Sequence, residues 1–300
     1  MKQYDLVIIG SGPAGLSAAI YASRAMLDFI VIEKTGMSGG QILNTYEVDN
    51  YPGLPGINGF DLGIKFREHC DKFNIDFVTE EVIEIKNTLP YKTVITSANT
   101  YSTKNIILAM GTNNAKLNVP GEDNLLGRGV SYCATCDGAF FRDQVVAVVG
   151  GSDVACEDAI YLARFCKKVY LIHRRDELRA AVILQNKVKS TSNIDILWDT
   201  KIEAINGNEV VETLALINKS GIQNTLLVNG VFIAIGSIPN TSWIKEIELN
   251  NKGYVIANED CKTNIEGIYA CGDIRTKQLR QVVTAVSDGA NAITSVQEGL

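Results

Sequence analysis

The fold of this chain is decided by the stretch Leu6-Val7-Ile8-Ile9-Gly10-Ser11-Gly12-Pro13-Ala14-Gly15. Its first four residues form an unbroken apolar run, which is typical of a parallel strand buried on both faces. A helix is predicted from Leu16 to Ala25, and a second strand, Phe29-Ile30-Val31-Ile32, ends at Glu33. Spaced glycines between a strand and a helix, followed by an acid about 20 residues further on, indicate a dinucleotide-binding unit.

The residues of this pattern have separate tasks. Gly10 permits a tight turn, Gly12 lets the backbone approach a pyrophosphate, and Gly15 lets the helix pack closely on the strand. The helix N-terminus offers free N–H groups and the positive end of its dipole to the phosphates. Glu33 would accept hydrogen bonds from a ribose.

The same pattern begins again 140 residues later, at Gly150-Gly151-Ser152-Asp153-Val154-Ala155. A strand-like run, Val145 to Val149, precedes it; a helix through about Phe165 and a strand from Val169 to Ile172 follow. The second strand ends at His173-Arg174-Arg175, with Arg179 one turn on, where the first copy has its acid. Guanidinium groups suit a 2′-phosphate and a carboxylate suits a free 2′-hydroxyl. We therefore expect FAD or NAD in the first site and NADP in the second; the alternative is that the arginines are solvated surface charges.

Two further apolar strands, within 105–112 and 231–237, each run into a glycine and are expected to close their own nucleotide domain. The segment Gly267 to Asp273 is again a strand ending in a carboxylate and should return to the first domain. We predict an α/β fold of two Rossmann-like, three-layer domains. The second domain, residues 113–243, is inserted into the first, residues 1–112 and 244–300.

A cysteine pair, Cys133-Ala134-Thr135-Cys136-Asp137, falls within the predicted insert. A Cys-X-X-Cys motif lowers the pKa of one thiol, and the thiolate is the nucleophile of thiol–disulfide exchange. Asp137 is placed to act as general acid or base for the leaving thiol. The order of the residues leaves open which cysteine attacks a partner, and a metal half-site or two inert thiols are the alternative interpretations.

The other cysteines argue against a metal. A zinc site would need a second closely spaced pair, but Cys156 and Cys166 are ten residues apart, as are Cys261 and Cys271. We expect no metal site, an ordinary helical role for His69, and buried, inert thiols at these four cysteines and at Cys70. Two nucleotide sites and one dithiol then imply that electrons pass from one carrier through another to sulfur.

The bulk composition narrows the remaining classes. The net charge of −6 makes nucleic acid an unexpected partner. No apolar run approaches the roughly 20 residues that span a bilayer, and the N-terminus lacks the features of a signal peptide. Seven cysteines, an odd number, do not resemble a secreted disulfide scaffold. The cytoplasm is the expected location.

With these residues identified, the chain resembles the low-molecular-weight bacterial thioredoxin reductases over nearly all of its length. The matching motifs are Gly10 to Gly15, Gly39-Gly40-Gln41, Val48-Asp49-Asn50-Tyr51-Pro52-Gly53, Cys133 to Asp137, His173 to Arg179, Gly272-Asp273 and Arg280-Gln281. The resemblance implies FAD in the first site, NADPH in the second, a homodimer, and oxidised thioredoxin as substrate. Apart from the resemblance, we expect a relay from nicotinamide through flavin to the cysteine pair. Because the pair belongs to the insert and not to the FAD domain, the inserted domain is expected to swing between half-reactions.

The resemblance also assigns residues to each cofactor. Those expected at FAD are Gly10, Ser11, Gly12, Pro13, Ala14, Gly15, Glu33, Lys34, Gly40, Gln41, Asn50, Val82, Gly111, Gly272, Asp273, Arg280, Gln281 and Val282. Those expected at NADPH are Gly151, Ser152, Asp153, Val154, His173, Arg174, Arg175, Arg179, Ile235 and Gly236.

The second site departs from the family pattern at three positions. Ser152 replaces a third glycine, Val154 replaces a serine or threonine, and Ser237 stands where histidine is common. A serine Cβ at position 152 weakens backbone approach to the pyrophosphate, although its hydroxyl can donate a hydrogen bond. Three other functions therefore stay open: a ferredoxin-dependent flavin thioredoxin reductase, a flavin-dependent dithiol oxidase, and a non-catalytic redox sensor.

Overall fold

A computed structural model describes residues 3–45, 48, 50–88 and 90–299, so Asp49 of the matched motif lies outside the described residues. The chain divides into two compact units. The first unit comprises Met1–Asn44, Val48–Asn113 and Ile238–Leu300, and the inserted unit comprises Thr45–Glu47 and Asn114–Ser237. Within the described residues, no helix has the length and apolar character needed to cross a membrane.

The second boundary falls at 237/238, six residues before the position expected from the sequence. Hydrogen bonds explain the difference, because residues 240 and 241 are tied to the first unit. The Asn240 side chain donates to the Met110 carbonyl at 2.8 Å, and the Thr241 hydroxyl donates to the Gly253 carbonyl at 2.7 Å.

The elements are given in chain order. The first stretch contains β1 (Gln3–Ile9), α1 (Pro13–Arg24), β2 (Phe29–Glu33), α2 (Gly59–Asp71), β3 (Phe77–Thr79), β4 (Val82–Lys86), β5 (Lys92–Thr96), β6 (Thr100–Leu108) and β7 (Thr112–Asn114). The middle stretch contains β8 (Val130–Ser131), α3 (Ala134–Asp137), β9 (Val145–Val149), α4 (Asp153–Leu162), β10 (Lys168–Ile172), α5 (Val182–Ser190), β11 (Ile194–Leu197), β12 (Thr200–Asn206), β13 (Thr213–Asn218), β14 (Gln223–Leu227), β15 (Gly230–Ile233) and β16 (Ser237–Pro239). The last stretch contains β17 (Ile268–Ala270) and α6 (Val282–Glu298), and short 3₁₀ turns occupy Gly40–Asn44, Gly138–Phe141 and Gly272–Ile274.

A seven-stranded mixed sheet forms the centre of the first unit, with the order β3-β2-β1-β6-β5-β4. β1 pairs in parallel with β2 and β6, and β17 joins the end of β6 in parallel. Leu6 and Ile8 belong to a core shared with α1 and α6, whereas Val7 and Ile9 belong to the core on the other face. This burial on both faces is the physical reason for the unbroken apolar run.

The inserted unit has a five-stranded parallel sheet with the order β11-β10-β9-β15-β8. β9 is again buried on both faces, with Val146 and Val148 in one core and Ala147 and Val149 in the other. An antiparallel sheet, β12-β13-β14, covers residues for which the sequence predicted no element. The predicted α/β class with two Rossmann-like domains, one inserted in the other, is confirmed.

Both predicted helices are present with shifted ends. α1 begins at Pro13 rather than Leu16, because proline is well suited to the first turn of a helix, where its missing N–H leaves no hydrogen bond unmade. α4 ends at Leu162 rather than near Phe165, and a tighter turn follows in which the Phe165 N–H donates to the Leu162 carbonyl at 3.2 Å.

Candidate active site and nucleotide sites

In the first glycine turn, two of the three glycines have no room for a side chain, and the third does. A Cβ on Gly15 would lie 1.9 Å from the Gly10 carbonyl oxygen, and a Cβ on Gly10, whose φ is +101°, would lie 2.6 Å from the Ala109 oxygen. A Cβ on Gly12 would meet only the Gly40 Cα, at 3.9 Å. Packing within the fold therefore requires Gly10 and Gly15. Gly12 is not required for packing, and its open backbone fits a pyrophosphate.

Glu33 ends β2 and faces this turn. Its Oε2 accepts hydrogen bonds from the N–H and the hydroxyl of Ser11, both at 2.7 Å, and its Oε1 accepts from the Thr35 N–H at 3.1 Å. The carboxylate is thus held beside the phosphate-binding turn, where a ribose hydroxyl would replace the Thr35 hydroxyl, which lies 3.3 Å from Oε1. The neighbouring Lys34 forms an exposed ion pair with Glu81 at 2.6 Å.

Asp273 provides an independent test of fit for a flavin nucleotide. It lies in the 3₁₀ turn after β17, and its Oδ1 is buried with no hydrogen-bond partner among the described residues. Burial raises the pKa of this carboxyl. A buried acceptor of this kind needs a donor, and the hydroxyls of a polyol chain supply one. The residues present therefore fit a flavin nucleotide.

Arg280 is hydrogen-bonded to the backbone of the loop that carries Asp273. Its guanidinium donates to the carbonyls of Asp273 at 3.3 Å, Arg275 at 3.1 Å and Lys277 at 3.2 Å. It also lies over the Tyr254 ring at 4.1 Å from the centroid, a cation–π geometry. Its first effect is to fix the shape of this loop.

Other expected flavin residues are brought together from distant parts of the chain. The Asn50 side chain donates to the Gln281 side chain at 3.0 Å, and Gln281 also caps the N-terminus of α6, immediately before Val282. Gln41 donates to the Thr112 hydroxyl at 3.0 Å, beside Gly111. The Val82 side chain is buried in a core of the first unit, and its assignment to the flavin site stays a prediction.

In the second glycine turn, the imidazole of His173 lies where a side chain on Gly151 would be. A Cβ there would be 2.3 Å from the His173 ring, and a Cβ on Gly150 would be 2.4 Å from the Ala234 oxygen. His173 is buried, its Nε2 has no partner among the described residues, and burial lowers its pKa. Ser152 begins α4 without using its hydroxyl as a cap. The turn therefore presents a neutral imidazole nitrogen and free helix N–H groups.

The arginines expected at the nucleotide are exposed. None of Arg174, Arg175 and Arg179 forms an ion pair with a residue in the described ranges. The Arg179 N–H donates to the Gly151 carbonyl at 2.7 Å, which ties this loop to the glycine turn. Asp153 reinforces the tie by accepting the Ala181 N–H at 2.7 Å. Three guanidinium groups are thus available to a phosphate near the turn.

The remaining positions expected at this site are exposed or have open space beside them. Val154, in the first turn of α4, is 57% exposed. Ile235 is also exposed, and Gly236 follows it with a φ of +117° and no atom within 4 Å of the position that a Cβ would take. Ile235 and Gly236 thus present apolar surface and open backbone just after the end of β15.

The cysteine pair is a disulfide between Cys133 and Cys136, with an S–S distance of 2.04 Å. Cys133 caps the N-terminus of α3, and both cysteines are partly exposed. The Cys133 sulfur lies 3.5 Å from the Thr135 hydroxyl. Asp137 closes the short helix, and its Oδ2 accepts a hydrogen bond from Ser131 at 2.5 Å. A redox-capable disulfide and a carboxylate thus share one turn of helix.

The five other cysteines are buried, as the sequence predicted. Burial raises their thiol pKa: to about 12 for Cys70, about 11 for Cys156, about 11 for Cys166, about 12 for Cys261, and well above the usual value for Cys271. Because the thiolate is the reactive form, these side chains are inert at neutral pH. Thiol chemistry is therefore confined to the exposed pair.

Comparison with known proteins decides the family. The model of the pyridine nucleotide-disulphide oxidoreductases matches residues 4–289. The chain is 44% identical to a thioredoxin reductase of Bacillus subtilis over 299 residues, which covers 99% of this chain and 94% of the relative. It belongs to the thioredoxin reductases.

Solved structures agree with this family. A thioredoxin reductase structure from Streptococcus pyogenes has a TM-score of 0.91 and 45% identity, covering 99% of this chain and 97% of that one. A ferredoxin-flavin thioredoxin reductase from Clostridium acetobutylicum is 35% identical, with a TM-score of 0.53 and coverage of 99% and 98%. A flavin and a pyridine nucleotide are therefore the cofactors implied for this family member.

Sequence reasoning missed several residues of the site. Tyr132 donates to Glu122 at 2.6 Å, and this buried carboxylate also accepts the N–H groups of Leu117 at 2.9 Å and Asn118 at 2.7 Å. The network joins the residue before Cys133 to the segment that enters the inserted unit. A tyrosine beside the cysteine motif was the only signal in the sequence, because its partner is ten residues away.

Proposed function

We propose that this protein reduces the disulfide of thioredoxin with electrons from NADPH, which pass through FAD and the Cys133–Cys136 couple. The observation that carries the proposal is a partly exposed disulfide in one helical turn with Asp137, in a chain with two glycine turns. The names of the relatives support thioredoxin as the substrate. The homodimer and the cytoplasmic location stay predictions from the sequence.

The first unit would hold FAD. Three features each match one part of that molecule, namely pyrophosphate, ribose and polyol chain: the open backbone at Gly12, the Glu33 carboxylate, and the Asp273 oxygen that has no partner within the described residues. When bound, the flavin would accept the electron pair of a nicotinamide and make it available to a disulfide. A yellow protein that retains FAD through purification is the expected result.

The inserted unit would hold NADPH, with the guanidinium groups of Arg174 and Arg175 on the 2′-phosphate. Hydrogen bonds to charged groups are worth about 1.5–3 kcal/mol, or about 10- to 150-fold in affinity. The double substitution Arg174→Gln/Arg175→Gln should therefore raise KM for NADPH by at least about tenfold and leave KM for NADH unchanged. Arg164→Gln, an exposed arginine of the same unit, is the matched control. Equal losses with both cofactors would count against a phosphate contact.

The chemistry at sulfur needs only this chain's residues and the partner disulfide. The thiolate of one reduced cysteine attacks the partner, and a mixed disulfide forms as the partner's other sulfur leaves. The second cysteine then attacks the mixed disulfide, releases the reduced partner and restores the Cys133–Cys136 bond. Asp137 would hold and return the proton for the departing thiolate. Cys133→Ser and Cys136→Ser should each abolish turnover, and the variant that traps a mixed disulfide with thioredoxin identifies the attacking sulfur.

We also propose that the inserted unit rotates between half-reactions. The disulfide and the candidate NADPH residues belong to this unit, while the candidate FAD residues belong to the other. One reactive face of a flavin cannot serve both partners at once. A crosslink that fixes the units in one orientation should abolish multiple turnover and spare one half-reaction. Full turnover in the crosslinked enzyme contradicts rotation.

One experiment tests the main proposal and its nearest alternative. The purified protein is scanned before and after anaerobic addition of NADPH, and oxidised thioredoxin is then added. Bleaching of the flavin followed by its recovery is expected. An unbleached flavin at millimolar NADPH points to a ferredoxin donor, which the similarity to the clostridial structure makes the second candidate. Recovery only with oxygen indicates a dithiol oxidase, and no disulfide turnover indicates a sensor.

A further inference from the structure

Ser131 links the two ends of the cysteine motif without belonging to it. It ends β8, the edge strand that pairs in parallel with β15, and its side chain is 5% exposed. Its hydroxyl oxygen lies 2.5 Å from the Asp137 Oδ2, 3.0 Å from the Cys133 nitrogen and 3.3 Å from the Cys133 oxygen. The Ser131 Oγ is thus the common atom of all three contacts.

The direction of these hydrogen bonds follows from the hydroxyl itself. A serine has one proton to donate and two lone pairs to accept with. The distance of 2.5 Å to a carboxylate lies in the range of a charge-assisted bond, whereas 3.3 Å to the Cys133 carbonyl is longer than an ordinary O–H···O bond. Ser131 therefore donates to Asp137 and accepts the Cys133 N–H.

This arrangement fixes the carboxylate relative to the disulfide. α3 is only four residues long, and the Asp137 N–H donates to the Cys133 carbonyl at 3.1 Å. That backbone bond places Asp137 on the helix but leaves its side-chain torsions free. Ser131 restrains these torsions, because it holds the carboxylate on a buried strand end that is also bonded to the Cys133 backbone.

We propose that Ser131 is a positioning residue that holds the Asp137 carboxylate beside the dithiol for proton transfer. The inference rests on the proposed role of Cys133, Cys136 and Asp137 in disulfide exchange. Its consequence is specific: the hydroxyl should matter only when Asp137 can ionise and only in steps at sulfur.

The test uses the holoenzyme and an artificial disulfide, so that it does not depend on thioredoxin. The protein is reduced anaerobically and desalted, and its reaction with the aromatic disulfide DTNB is followed by stopped flow. Cys133→Ser/Cys136→Ser supplies the baseline from the buried thiols. Ser131→Ala should slow the exchange by about tenfold or more, in line with the loss of a hydrogen bond to a charged group. Ser131→Thr keeps the hydroxyl and should restore the rate to within about twofold, as should any variant that still donates to Asp137.

A double-mutant cycle separates positioning from a structural effect. If Ser131 acts through Asp137, Ser131→Ala should add no further loss in an Asp137→Asn background. Thr200→Val, which removes another buried hydroxyl of the inserted unit, controls for loss of stability and should leave the exchange rate unchanged.

The outcomes distinguish this inference from the function on which it rests. Equal losses from Ser131→Ala in both backgrounds, or no loss in either, overturn the positioning role. A wild-type rate no faster than the double-cysteine baseline overturns the proposed function itself, and the positioning role with it. If Ser131→Ala does not fold, the comparison of Ser131→Thr with Ser131→Val, which has the same shape without the hydroxyl, decides the matter, because a full rate with valine would contradict it.

Discussion

Replacing Asp288 by asparagine should cost the first unit about 3–5 kcal/mol of stability, the range for removing one partner from a buried ion pair. Asp288 lies on α6 and accepts from Arg275 at 2.7 and 2.8 Å, from Lys277 at 2.8 Å and from the Gly272 N–H at 2.9 Å. The three charged side chains are only 5–8% exposed. The substitution leaves two buried cations without a counter-charge, which is the costly change.

The pH dependence should follow from the same contacts. Burial alone would raise the pKa of Asp288, but the hydrogen bonds from Arg275 and Lys277 outweigh it and hold the pKa below its usual value. A folded-state pKa below the unfolded value gives stability that is present above about pH 4 and is lost as the pH falls through the folded pKa. The stability difference between the wild type and Asp288→Asn should therefore narrow in acid.

The control lies on the same helix. Glu298 pairs with Lys262 at 3.2 Å, but their side chains are 64% and 48% exposed. Glu298→Gln should cost less than about 1 kcal/mol, because exposed ion pairs are screened by water. The ratio of the stability losses of Asp288→Asn and Glu298→Gln therefore measures how much burial strengthens an ion pair on the same helix.

The assay is urea unfolding followed by tryptophan fluorescence. The chain has two tryptophans, one in each unit, so that a Trp198→Phe background leaves Trp243, which packs against the core of the first unit. FAD is held at a fixed excess because bound ligand adds to apparent stability. A loss for Asp288→Asn no greater than that for Glu298→Gln would refute the reasoning.

Three further predictions concern single positions. Gly12→Ala should fold normally but lose FAD, because its Cβ has space and faces the open turn, whereas Gly15→Ala should be destabilised by a backbone clash; FAD content and thermal melting check both. Burial, with a smaller contribution from a neighbouring carboxylate, raises the pKa of Asp158 to about 7, so Asp158→Asn should become progressively more stable than the wild type as the pH rises from about 4 to about 7 in urea titrations. Tyr132→Phe should cost about 1–3 kcal/mol in the inserted unit, because Glu122 loses a buried donor, as followed by Trp198 fluorescence.

Each of these predictions has an opposing result. A flavin-replete Gly12→Ala protein would place the pyrophosphate elsewhere. A pH-independent effect of Asp158→Asn would mean that this carboxyl is ionised in the folded state. An unchanged midpoint for Tyr132→Phe would show that water replaces the phenol at Glu122.

The sequence predicted those parts of the molecule whose causes are local. A strand buried on both faces needs an unbroken apolar run, and the turn after it needs glycines at fixed spacing, so Leu6 to Gly15 carried enough information for the fold. The Cys133–Cys136 pair could also be predicted, because a separation of three residues brings both sulfurs together on one helical turn.

The parts that could not be predicted depend on packing between distant segments. Asp288 meets Arg275 and Lys277 only because α6 folds back over the 3₁₀ turn after β17. Glu122 is buried and accepts a hydrogen bond from Tyr132, ten residues further along the chain. The boundary at 237/238 likewise depends on hydrogen bonds from Asn240, which a pattern of hydrophobicity does not reveal.

The way in which the insert leaves and rejoins the chain has a consequence for its ancestry. In the inserted unit the Ala115 N–H donates to the Gly236 carbonyl at 2.9 Å, and in the first unit the Asn240 N–H donates to the Gly111 carbonyl at 3.2 Å. Each unit therefore closes on itself where it is interrupted. This geometry is compatible with the insertion of a gene for one complete domain into the gene for another, without distortion of either fold. Replacing residues 114–237 by a short loop should therefore leave a first unit that still folds.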